Sequence, residues 1–184
     1  MDTQKSLVIM EYSSVAIGMK AADEMLKTSN VKLITAQTVC PGKYIIILTG
    51  NVSAVTAAQA KGKSPDYDQV LIDDYLLGNI DDTVLEALFG VAEVGEVEAL
   101  GIIETYSVAS IIGAADKIVK TTPVKLIEIR IARGMSGKSY AMFCGELAAV
   151  EASMDGAIKE IKDGGLLLHT AVIPNPDPQL WDIL

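Results

Sequence analysis

Residues 11–34 and 104–127 of this chain are two versions of one segment. Laid together without a gap at a constant offset of 93, 13 of their 24 positions are identical, where chance supplies roughly one or two. The shared runs are Ser14-Val15-Ala16 with Ser107-Val108-Ala109, Ala21-Ala22-Asp23 with Ala114-Ala115-Asp116, and Val31–Ile34 with Val124–Ile127. The register then slips by two, so that Gly42-Lys43 meets Gly137-Lys138 and Gly50 meets Gly145 at an offset of 95. The second copy therefore carries a longer segment before Gly137. Such a duplication demands a fold that is built twice, with one domain over 5–95, another over 97–184 and a short junction near Gly95–Ala99.

Each copy reads strand, helix, strand, strand, helix, strand. Leu7–Glu11 is a short apolar strand, and Ser14 is placed to cap the helix that follows. Val15, Met19, Ala22, Met25 and Leu26 recur there at helical spacing and should face a sheet. The second copy repeats the cap with Ser107 and the stripe with Val108, Ile112, Ala115, Ile118 and Val119. Val31–Ile34 and Val124–Ile131 are rich in strand formers, and Gly42 and Gly137 mark turns before strands at Lys43–Leu48 and Lys138–Cys144. Small-residue helices are expected over Val52–Gly62 and Leu147–Ile161, with final strands at Gln69–Leu76 and Leu166–Val172. Asp81–Phe89 is periodic enough for one more helix, whereas Pro174, Pro176 and Pro178 predict an irregular end to the second copy. This order implies an α/β (α+β) fold, each copy packing helices on a largely antiparallel four-stranded sheet.

Half of the residues are apolar, enough to build a packed core. A net charge of −9, with 15 basic residues spread along the chain, argues against nucleic acid as a partner, because phosphate contacts need concentrated positive charge. The apolar run Tyr44–Leu48 is the length of a strand and far short of a bilayer span. Cys40 and Cys144 lie far apart and outline no disulfide scaffold, and the N-terminus does not read as a signal peptide. A soluble cytoplasmic protein is the simplest expectation. No phosphate loop, nucleophilic triad or complete intrachain metal set points to an enzyme.

Individual residues divide between ordinary and chemical readings. Cys144 follows strand spacing and is expected to be a small buried residue. His169, beside the terminal strand, has no acidic or thiol neighbour in sequence, so a structural or edge role is favoured over catalysis. Glu11 and Glu104 are repeat-equivalent at strand ends, which suits packing better than paired acid–base chemistry. Asp66, Asp68, Asp73 and Asp74 lack the spacing of a calcium loop and are expected to form a solvated acidic surface. Cys40, in Thr38-Val39-Cys40-Pro41-Gly42-Lys43, reads from residues alone as a loop thiol first and a metal ligand second.

Assembled in order, these pieces resemble the small α/β shell domain of bacterial microcompartments, twice over and across almost the whole chain. The segments that carry the resemblance are Leu7–Ser14, Ala21–Lys27, Gly42-Lys43 and Gly50 in the first copy, and Gly101–Thr105, Ala114–Lys120, Gly137-Lys138 and Gly145 in the second. Among tandem shell proteins, the loop at Cys40 is most similar to the propanediol-utilisation type that carries an iron–sulfur cluster. The resemblance implies a homotrimer acting as a pseudohexamer, with three first-copy loops at its centre, packed beside other shell proteins around enclosed enzymes, some of them redox enzymes. It also places Lys27 and Lys120 at tile edges. The basic edge run of single-domain relatives is missing, being replaced by Asn79-Ile80-Asp81-Asp82 and by Ile173-Pro174-Asn175-Pro176-Asp177.

By the same resemblance Cys40 is the cluster ligand. A cubane normally takes four ligands, and a three-fold axis would turn one cysteine per chain into three thiolates around a 4Fe–4S cluster. Thr38, Val39, Pro41, Gly42 and Lys43 would then form the surroundings of the cluster in the pore loop, with N–H groups near Gly42 donating to sulfide and Lys43 offsetting charge. The expected function is a shell tile with an axial centre for electron transfer or redox sensing. The alternatives are a tile with a gated metabolite pore and no cluster, or a sensory or interaction protein outside a shell. The longer second-copy loop, Ala132–Gly137 with Arg133, should surround the central site rather than duplicate it.

Overall fold

The computed structural model describes residues 6–90, 98–132, 134–164 and 166–181, and most of the expected junction lies outside them. The first copy runs β1 (Ser6–Tyr12), α1 (Val15–Thr28), β2 (Lys32–Val39), β3 (Lys43–Gly50), α2 (Val52–Gly62) and β4 (Leu71–Leu77). After α3 (Asp82–Phe89), the second runs β5 (Ala99–Thr105), α4 (Val108–Thr121), β6 (Lys125–Arg130), β7 (Ser139–Gly145), α5 (Leu147–Ile161) and β8 (Leu167–Pro174), and ends in the single helical turn α6 (Pro178–Trp181). Two four-stranded sheets result, ordered β2-β3-β1-β4 and β6-β7-β5-β8. Every neighbouring pair is antiparallel.

By their internal contacts the residues form two compact units that do not follow chain order. Of the described residues, the first holds those up to Ile80 together with Ser107–Ser110 and those within 132–138; the second holds those within 81–106, 111–131 and from Ser139 onward. Thus α3 belongs to the second unit, where it packs on β6.

Alternation along β1 and β3 builds the first core. Val8, Met10, Tyr12, Tyr44, Ile46 and Leu48 share one buried cluster with Ala21, Ala22 and Met25 of α1 and Val55 and Ala58 of α2. Ser14 caps α1 by accepting from the Ile17 N–H. The expected stripe of α1 holds except at Met19, which is 53% exposed. The Tyr44 side chain lies against Gly18, where a Cβ would come within 2.8 Å of it, so the buried face runs through Gly18 and Ala21 instead. In the second sheet Leu100, Met142 and Cys144 join Ile127 in a buried cluster, with Ile102, Tyr140 and Ile173 packed on it.

Several strands outrun their expected ends, and two of these extensions bear on residues singled out in sequence. β2 continues to Val39, so Thr38 and Val39 close a strand rather than sit in a loop. β8 extends to Pro174 and contains His169, opposite Glu104. A terminal proline is tolerated there because β8 is an edge strand with one open side.

Candidate functional site

The β2–β3 turn presents Cys40, which is half-buried, at the head of a hairpin. The Cys40–Pro41 peptide is cis, Gly42 has φ 92°, and the Gly42 N–H donates to the Val39 carbonyl at 3.0 Å. A recess of about 360 Å³ is bounded by Thr38, Val39, Cys40, Pro41, Gly42 and Gly134. Gly134 comes from the longer loop of the second copy, which lies in the same compact unit.

That second loop is built from left-handed backbone: Ala132 has φ 32°, Gly134 70°, Ser136 52° and Gly137 87°. Two of these are not glycine, a conformation that L side chains adopt at a cost. The shape brings the buried Ala132 carbonyl to the Cys40 N–H at 2.9 Å. It also brings Gly137 so close to the first loop that a Cβ there would stand 2.8 Å from Pro41 Cδ. The second-copy loop therefore lies directly against the first-copy turn. Arg133 lies outside the described residues.

Behind the loops is a buried polar network. Lys43 Nζ donates to Glu11 Oε1 at 2.7 Å and reaches the Gly137 carbonyl at 3.5 Å. The other Glu11 oxygen accepts from the Val108 N–H at 2.7 Å, at the start of α4. Asp73, opposite Glu11 in the sheet, accepts from the hydroxyls of Ser107 and Ser110. Ser107 Oγ also accepts from the Ser110 N–H at 3.1 Å. A helix leaves its first N–H groups without intrahelical partners and favours negative charge there; Glu11 meets both needs at Val108, and Asp73 adds negative charge through the two serine hydroxyls. Asp74 accepts from Gln59 and pairs with Lys63 at 2.7 Å. Of the four aspartates read as a solvated surface, only Asp66 and Asp68 are exposed; Asp73 and Asp74 are half-buried and bonded.

The remaining residues singled out in sequence are scattered. Cys144 is buried as expected, and burial pushes its thiol pKa up. Lys27 and Lys120 each pair with the aspartate four residues earlier, Asp23 and Asp116, both at 2.6 Å. His169 is exposed on β8. The Glu11–Lys43 pair was absent from the sequence reading. Its signal lies in the strand register, since Glu11 faces Ile45 and Lys43 is the diagonal neighbour on the same face.

Comparison with known proteins names this double fold. The BMC domain profile matches residues 6–76 and again 99–176. The bacterial microcompartment shell protein PduT of Citrobacter freundii is 40% identical over 177 residues, 96% of each chain. The chain belongs to the BMC-domain family of microcompartment shell proteins. A microcompartment protein from Desulfitobacterium hafniense DCB superposes with a TM-score of 0.82 at 41% identity, covering 96% of this chain and 98% of its own. The shell protein EutM of Salmonella typhimurium is 36% identical over 86 residues, 88% of its length but 47% of this one, as a single-copy relative would be. As a BMC-domain shell protein the chain is structural and non-catalytic, and its place is the microcompartment shell within the bacterial cytoplasm. Among the described residues no helix is long and apolar enough to cross a membrane.

The iron–sulfur expectation is overturned by the donor set. Among the described residues no three His, Cys, Asp or Glu side chains gather into a metal site, and both cysteines are free thiols. The surroundings expected of a cluster are also otherwise engaged. The Cys40 and Gly42 N–H groups donate to the Ala132 and Val39 carbonyls rather than being left for sulfide. Lys43, expected to offset cluster charge, is turned to a buried carboxylate and only 14% exposed. With no such donor group among the described residues and the turn's own donors engaged, the expected cluster falls, and the electron-transfer and redox-sensing roles fall with it.

Proposed function

We propose that the chain is a trimeric shell tile, a pseudohexamer whose first-copy loops line a central gated metabolite pore, with Cys40 unliganded. The supporting observation is the recess bounded by Thr38–Gly42 and Gly134 at the head of the first-copy hairpin. The full-length likeness to a protein named as a shell protein supports the tile. In this reading one domain spans 5–95 and the other 97–184, and other shell proteins are the neighbours. Lys27, with its side chain 72% exposed, and Lys120 serve as edge contacts. Enclosed enzymes lie behind the tile, and the pore loop passes their small polar substrates or products.

Sedimentation should give a trimer mass, and electron micrographs should show sheets that thin out with Lys27→Ala. For the pore, glycerol flux into assembled shells is measured before and after coupling a bulky maleimide to Cys40. A fall in flux is expected; flux unchanged by complete labelling removes the pore reading and leaves the tile.

A further inference from the structure

We infer that Glu11 is the positioning residue of the Cys40 loop. Its carboxylate is fully buried, and a buried charge persists only where partners compensate its lost hydration. Both oxygens are used, one by the Lys43 ammonium and one by the Val108 N–H, each at 2.7 Å. Lys43 is the first residue of β3 and directly follows Gly42, so holding its ammonium holds the C-terminal stem of the turn. The same ammonium reaches the Gly137 carbonyl at 3.5 Å. The N-terminal stem is held separately, by the Cys40 N–H on Ala132. Glu11 thus supplies the charge that ties the turn to α4 and to the second loop at one point. Replacing it removes the ionic hold on that stem, while the strand pairing of β3 with β1 and β2 remains.

The inference deepens the pore reading, since it names what sets the position of the lining loop. Its test reads loop order rather than flux, so the two fail separately. The full chain and Glu11→Gln are alkylated with iodoacetamide, and Cys40 and Cys144 are followed individually by peptide mass spectrometry. The Cys40 rate should rise roughly tenfold as the stem opens locally, with Cys144 as protected as in the parent. A Cys40 rate unchanged or slower in the folded variant overturns the inference. So does a parallel rise of both thiols, which reports global loosening. Should Glu11→Gln fail to accumulate, Glu11→Gln/Lys43→Gln leaves no lone buried charge and is read in the same way.

Discussion

Glu11 and Glu104 hold one position of the duplicated sequence and one position of the duplicated sheet, each the sixth residue of its strand. Glu11 faces Ile45 and Asp73; Glu104 faces Tyr140 and His169. Yet Glu11 is fully buried, while Glu104 is half-buried. The helices show the same divergence. Glu24 of α1 pairs with Lys61 of α2 at 2.9 Å, whereas in the second copy Lys117 of α4 pairs with Glu160 of α5 at 3.6 Å, the charges reversed. Duplication has kept the apolar alternation and strand order, and has let the polar partners of equivalent positions go separate ways.

The widest contrast should appear in the cysteines. Cys144, 2% exposed and with its thiol pKa raised by burial, should react with an alkylating reagent only through unfolding. Cys40 should be modified about ten-thousandfold faster in native buffer. Comparable rates would erase the distinction between a presented and a packed thiol. Next in size is the lysine pair. Lys43→Met strands the buried Glu11 carboxylate and should cost about 3–5 kcal/mol in guanidinium unfolding. Its repeat counterpart, Lys138→Met, should stay within about 0.5 kcal/mol. Equal losses would show that the two positions are not differentiated.

The equivalent turn glycines give a smaller and sharper comparison. Both are left-handed, Gly42 at φ 92° and Gly137 at 87°, but a Cβ at Gly42 meets nothing within 4 Å while one at Gly137 strikes Pro41. Gly42→Ala should therefore cost about 1 kcal/mol of backbone strain. Gly137→Ala should cost about 2 kcal/mol or more, read as the larger fall in Tm. Smallest is an acid effect at Glu24 in the first copy. The Tyr67 hydroxyl and then the Lys61 ammonium hold the Glu24 pKa below its usual value. Its contribution is present above the unfolded pKa of about 4.3 and fades as pH falls through the folded value. The Tm gap between parent and Glu24→Gln should close on acidification, and a gap independent of pH would exclude the ionised form as its source.

The fold was legible because its signals are local and occur twice. Val52–Gly62 and Leu147–Ile161 are helices over the residues expected, since small-residue runs bounded by Gly50 and Gly145 leave little choice. Met19 went the other way because the Tyr44 side chain, distant in sequence, lies against Gly18. The turn was legible in the sequence, but the bonds around it were not. Thr38–Lys43 did form the loop and its stems, and Gly42 did make the turn. The expected cluster came from likeness to relatives, whereas the bonds that engage Cys40 and Lys43 come from Ala132, Gly137 and Glu11, between 32 and 94 residues away. No periodicity or motif spacing encodes such pairings. Asp73 shows the same limit, since only the register β1–β4 and the start of α4 reveal that it is engaged.

The opening turn of α4 has a consequence for the ancestry of the chain. Val108, Ser107 and Ser110 rest on Glu11 and Asp73, residues encoded in the other half of the gene. Splitting that gene would give one product whose Glu11 and Asp73 each lose donors and another whose Val108 N–H loses its acceptor. Each half would need compensating substitutions before it could stand as a separate polypeptide. The fusion thus leaves each half leaning on the other: separating them would leave these polar groups to find new partners.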